Sequence, residues 1–112
     1  MMMSQMMTID TDKLDANARD AAGLLSAMAN ENRLRILCRL LEGEVSVNEL
    51  ADRVGMNQSA LSQQLSKLRA LRLVDTRRDA RQIYYHLASP EVRRVLETFY
   101  FFFFFFVLLD AA

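Results

Sequence analysis

Residues 46–71, SVNELADRVGMNQSALSQQLSKLRAL, decide how this chain is to be read. Val47, Leu50, Ala51 and Val54 recur at i, i+3, i+4 and i+7, which is one apolar face of a helix. Ser46 stands before them as an N-cap, with Glu49 three residues on in the capping-box position. Gly55 follows the last periodic residue, where helices commonly exit through a left-handed conformation. Asn57 can cap a second helix, whose inward stripe is Leu61, Leu65 and Leu68. Its opposite side carries Ser59, Ser62, Gln63, Ser66 and Lys67, with Gln58 at the N-terminal end. A helix backed by another helix and faced with uncharged hydrogen-bonding groups suits base edges and phosphates. The plainer reading is a face that Ser and Gln merely solvate. The paired helix, the glycine turn and the basic hairpin that follows favour a DNA-binding helix-turn-helix.

Beyond this stretch, residues 73–78 and Gln82–Leu87 read as two strands, the second rich in β-branched and aromatic character at Ile83, Tyr84 and Tyr85. Asp79, Ala80 and Arg81 form the expected tip. A hairpin directly after a recognition helix is a wing. Arg77, Arg78 and Arg81 are then placed to meet phosphates or the minor groove, with Gln82 a lesser candidate at the same edge. Tyr84 and Tyr85 alternate faces, so one enters the core and the other meets solvent or DNA. His86 is expected to pack or hydrogen-bond there. The formal net charge is zero, yet charge is unevenly spread. Lys67, Arg69, Arg72, Arg77, Arg78 and Arg81 stand against Asp75 and Asp79, whereas residues 1–30 are acidic on balance.

At 112 residues, with 52% hydrophobic and 25% charged content, the chain is one globular domain. Residues 1–11 read as a disordered N-terminal segment and residues 12–109 as the folded domain. A first helix should begin near Asp12, with Leu14, Ala18, Ala21, Ala22, Leu25 and Met28 on one side. Asn30 caps a second, in which Leu34, Leu37, Cys38 and Leu41 repeat at helical spacing until Gly43. Ser89, Pro90 and Glu91 start a last helix, with Val92, Val95, Leu96 and Phe99 as its stripe. Residues 99–109, FYFFFFFFVLL, are then apolar all round. That run is too short for a bilayer, which takes about 20 residues, so stable membrane association is not expected. A helix without a polar face must be covered, and a partner subunit is the natural cover. The run is also an aggregation hazard. The expected fold is mainly α with a small β-hairpin, in the order α-α-α-α-β-β-α.

A single cysteine excludes an internal disulfide and suits a reducing, cytoplasmic setting. No signal peptide is visible. There is no nucleophile–base–acid set, no Gly-rich phosphate loop and no metal constellation, so neither an enzyme nor a cofactor is expected. A module that dimerises with protein and never meets DNA is the alternative that zero net charge permits. Peripheral membrane attachment through the Phe run is a weaker one.

Residues 28–87, MANENRLRILCRLLEGEVSVNELADRVGMNQSALSQQLSKLRALRLVDTRRDARQIYYHL, resemble the ArsR/SmtB family of bacterial winged-helix repressors. The run Leu61, Ser62, Gln63, Gln64, Leu65 corresponds to the family's recognition-helix motif. The resemblance implies a homodimer joined by its first and last helices. It implies binding to double-stranded palindromic operator DNA, and release on a signal. Metal sensing is not expected, because the helix from Val47 to Val54 has no cysteine and the last helix no histidine. Within the family, residues 36–44 look most like the thiol-switch subgroup of BigR, SqrR and HlyU type. Those relatives place one cysteine at the position of Cys38 and a second near the position of Phe104. With phenylalanine there, the dithiol chemistry cannot form within this chain. Cys38 remains a candidate single-thiol redox sensor, with a small core hydrophobe as the stronger alternative.

Overall fold

Local hydrogen bonds start and stop most of the helices. The computed structural model describes residues 8–111, with side chains as far as Phe105. Residues 1–7 of the expected disordered segment lie outside the described residues. The elements are α1 (Thr11–Ala16), α2 (Ala18–Met28), α3 (Glu31–Arg39) with a 3-10 turn (Leu40–Glu42), β1 (Val45–Ser46), α4 (Val47–Val54), α5 (Gln58–Ala70), β2 (Val74–Asp79), β3 (Gln82–Leu87) and α6 (Pro90–Ala111). The Asp10 carboxylate caps α1 by accepting from Asp12 and Lys13 N–H. Asn30, Ser46 and Asn57 cap α3, α4 and α5 in the same way. Ser89 Oγ accepts from Val92 N at 3.2 Å ahead of Pro90 in α6. Gly55 leaves α4 at φ 69, ψ 34, the left-handed exit that favours glycine.

The winged-helix plan is present, with two additions to the expected order. The first helix is divided at Asn17, whose backbone leaves helical values at φ −105, ψ 12. Its side-chain Nδ2 donates to the Lys13 carbonyl at 2.8 Å, so an asparagine competes with the helix ladder there. A third strand, β1, also joins the hairpin. The sheet order is β1-β3-β2, antiparallel throughout. The hairpin turn has two residues, Ala80 and Arg81, because Asp79 pairs with Gln82.

The core lies between α3, α4, α5, the sheet and the start of α6. Leu61, Leu65 and Leu68 are buried, as the stripe predicts. Each such side chain stabilises the fold by about 1.5–3 kcal/mol. On α3 the buried centre differs from the expected stripe. Ile36, Leu37 and Leu40 are fully buried, while Leu34 and Leu41 are only partly covered. This helix is covered on two sides, so its most buried line runs between them. Cys38 is half-buried on the α6 side. On α2, Ala27 and Met28 are buried but Leu25 is exposed, as is Leu14 on α1. On α6, Leu96 is buried, whereas Val95 and Phe99 of its stripe are exposed. Among the described residues, no helix is long and apolar enough to cross a membrane.

Candidate nucleic-acid interface

The two helices of residues 46–71 form one unit because their buried faces share the core. Leu50, Ala51 and Val54 of α4 and the three leucines of α5 belong to the same cluster. Burying that stripe forces the other side of α5 outward. Gln58, Ser59, Ser62, Gln63, Ser66 and Lys67 are all exposed. No carboxylate lies anywhere in α5, and Lys67 and Arg69 fall in its last turn. The surface is therefore neutral to cationic, rich in donors and acceptors, and held on a rigid backbone.

Gln58 is not a loose side chain. Its Nε2 donates to Oδ1 of Asn48, in the first turn of α4. Glu49 bonds Arg53 at 2.7 Å, so its carboxylate serves α4 and the reciprocal half of the capping box is not made. Gln64, between the exposed and buried sides, accepts from Arg33 at 3.4 Å, and Arg33 Nε also donates to the Ala27 carbonyl at 2.7 Å.

The three arginines of the wing are exposed but differently placed. Strand alternation sets Val74, Thr76 and Arg78 on the face that enters the core, and Asp75, Arg77 and Asp79 on the other. Arg77 is opposite Tyr84 and lies over its ring at 4.8 Å. Its Nε and a terminal nitrogen both donate to Glu44, at 3.0 and 2.6 Å. These bonds hold the Glu44 carboxyl below the usual carboxylate range. Arg78, opposite Ile83, and Arg81, in the turn, make no ion pair among the described residues. The structure therefore brings Arg78 and Arg81 to the open end of the wing and ties Arg77 to its base. Tyr85 packs against the core and Tyr84 takes the outer face, which resolves the alternation. His86 Nδ1 is buried, 3.7 Å from Glu44, with no hydrogen-bond partner among the described residues.

Sequence reading missed Glu44 and Asn48. Glu44 meets Arg77 across 33 positions and only through the unforeseen strand β1. Asn48 meets Gln58 across the helix turn, a contact that no period along either helix reports.

Away from this surface, Leu25, Met28, Ala29, Leu34, Cys38, Phe99, Tyr100, Phe103 and Phe104 line an apolar cavity of about 730 Å³. Burial pushes the Cys38 thiol pKa up, which disfavours the reactive thiolate. Cys38 and Phe104 line the same cavity, so the position expected for a second thiol faces the same space as the first. Among the described residues, no three His, Cys, Asp or Glu side chains group as metal ligands.

Residues 30–76 match the model of the bacterial regulatory protein, arsR family. The chain is 46% identical over 92 residues to the transcriptional activator HlyU of Vibrio cholerae serotype O1, covering 82% of this chain and 85% of that one. It belongs to the ArsR family. This ArsR-family regulator also superposes on solved relatives. The transcriptional repressor BigR from Xylella fastidiosa aligns with a TM-score of 0.76 and 36% identity, over 85% of this chain and 97% of that one. A homodimeric winged helix-turn-helix DNA-binding domain from Mycobacterium bovis aligns with a TM-score of 0.72 and 32% identity, over 93% and 91%. The chain is thus a DNA-binding transcriptional regulator of winged-helix fold.

Proposed function

We propose that the chain works as a homodimeric operator-binding repressor, with α5 reading bases and the wing gripping the strand beside it. One observation carries this reading. A fully buried leucine stripe holds α5 rigidly while its whole outer side, free of carboxylates, is exposed. Gln58, Ser59, Ser62 and Gln63 are the base-reading candidates. Ser66, Lys67, Arg78 and Arg81 serve phosphates, and Arg77 contributes from the base of the wing. Two-fold symmetry of the dimer would match two half-sites of a palindrome. Occupancy of such a site blocks polymerase, and a signal that alters the dimer releases it. With DNA as its partner, its place of action is the cytoplasm.

The similarity to HlyU and BigR favours a transcriptional role, and the homodimeric M. bovis relative favours two-fold assembly. Within that role, Cys38 lines the cavity as a protonated thiol in preference to acting as a sensor.

Salt titration of duplex binding separates the two kinds of contact. Arg78→Ala should weaken binding to selected and random duplexes alike and lower the slope of log K against log salt by about one. Gln63→Ala should keep the slope and lose about 1–3 kcal/mol of discrimination between sequences. Binding by wild type and both variants that is equal on all duplexes sinks the reading. Absence of any salt-sensitive binding would instead favour the protein-only module.

A further inference from the structure

We propose that Asn48 is a positioning residue that fixes the amide of Gln58 and so sets which base that glutamine reads. This rests on the reading of α5 as the base-contacting helix. Gln58 opens α5 and Asn48 lies in the first turn of α4, so the bond between them bridges the two helices of the motif. Both side chains are exposed, so the bond is not one that the core requires to stay folded. Asn48 caps nothing; Ser46 does that for α4 and Asn57 for α5.

An untethered glutamine at a helix end samples several rotamers and can turn its amide over, offering a donor or an acceptor to the same base edge. With Asn48 presenting Oδ1, as it does here, donation of one Nε2 hydrogen to it removes that choice. It leaves Oε1 as an acceptor and the second Nε2 hydrogen as a donor. That pair matches the amino group and N7 of adenine. Guanine presents two acceptors, N7 and O6, and has no donor for Oε1 there. The tethered amide therefore selects adenine. Pre-ordering one such side chain is worth about three- to tenfold in affinity.

Selection from a pool of randomised duplexes, followed by titration of single-base variants of the selected sequence, tests this. The wild type should prefer adenine at one position in each half-site by about tenfold or more. Gln58→Ala should remove that preference. Asn48→Ala should reduce it by about three- to tenfold without changing the salt slope, because no phosphate contact is lost. Adding Asn48→Ala to Gln58→Ala should cost no further preference. Asn48→Asp can only accept, so it should keep the preference for adenine while its charge weakens binding to every sequence. Full preference in Asn48→Ala, or its loss in Asn48→Asp, overturns the positioning role. A selection that enriches no sequence overturns base reading itself, and this proposal with it.

Discussion

Helices α5 and α6 follow opposite rules. In α5 the buried leucines are 0–1% exposed, and the rest of the helix is polar or small. Among the described side chains of α6 only Leu96 reaches full burial, while Phe99 and residues 100–105 remain 43–62% exposed. Neighbouring rings shield one another in part: Tyr100 stacks on Phe104 at 5.9 Å and meets Phe101 edge-on at 5.3 Å. Every ring from Phe99 to Phe105 nevertheless stays exposed, an apolar surface of the kind that marks an interaction site. An amphipathic helix is completed by its own domain. A helix without a polar side needs cover from another body, and the second copy of a homodimer is the natural candidate. The lesson is that α5 defines the fold of one chain, while α6 leaves a surface that assembly would have to cover.

The largest expected effect breaks the comparison on the α5 side. Leu65→Ala should destabilise the chain by about 2–5 kcal/mol, through lost burial and the cavity left behind. Phe101→Ala should change monomer stability by no more than about 0.5 kcal/mol, since an exposed ring has little burial to lose. Urea unfolding of both variants at low protein concentration measures the gap. Equal losses would mean that α6 is already completed within one chain.

The next effect is on assembly. Phe103 lines the cavity with Leu25 and Met28 of α2 and is itself 55% exposed. Phe103→Glu should raise the dimer dissociation constant about tenfold or more, because a charge at an apolar interface is desolvated without a partner. Sedimentation equilibrium reads this directly. An unchanged constant would place the dimer contact elsewhere and leave the aromatic side of α6 unexplained.

The same contrast explains what the sequence disclosed. The helix-turn-helix was readable because one period, two caps and a glycine exit all pointed the same way. The wing strands were readable from the β-branched and aromatic character of Ile83, Tyr84 and Tyr85, and their tip was placed at Asp79, Ala80 and Arg81, one residue wider than the turn observed. Ala80 takes φ 54, a conformation usually left to glycine, so the residue type hid a two-residue turn. Asn17 carried no visible break signal, since asparagine also sits in helices at modest cost. Strand β1 has two residues, too few for a pattern to register. At the candidate interface, exposure of the Ser and Gln side followed from the leucine stripe. Its tethers did not, because Gln58–Asn48 and Arg77–Glu44 join residues that only the tertiary fold brings together.

The smallest expected effect sharpens the comparison, because it lies wholly within one chain and should not depend on protein concentration. Glu44 is bonded to Arg77 and neighboured by His86, with Asp79 on the far side of the guanidinium. Its folded-state pKa is lowered, first by the Arg77 hydrogen bond. A lowered carboxyl pKa adds stability above the unfolded value, and that stability is lost as pH falls through the folded value. The wild type should therefore melt slightly above Glu44→Gln at pH 7. The gap should close below about 4.5, the ordinary glutamate value, as Glu44 takes up its proton. The pair is open to solvent, so the shift should be small and should shrink further in salt. Melting curves from pH 7 to pH 3 decide it. A gap that holds constant or widens toward acid would show that this ion pair does not tie the base of the wing to the strand entering α4.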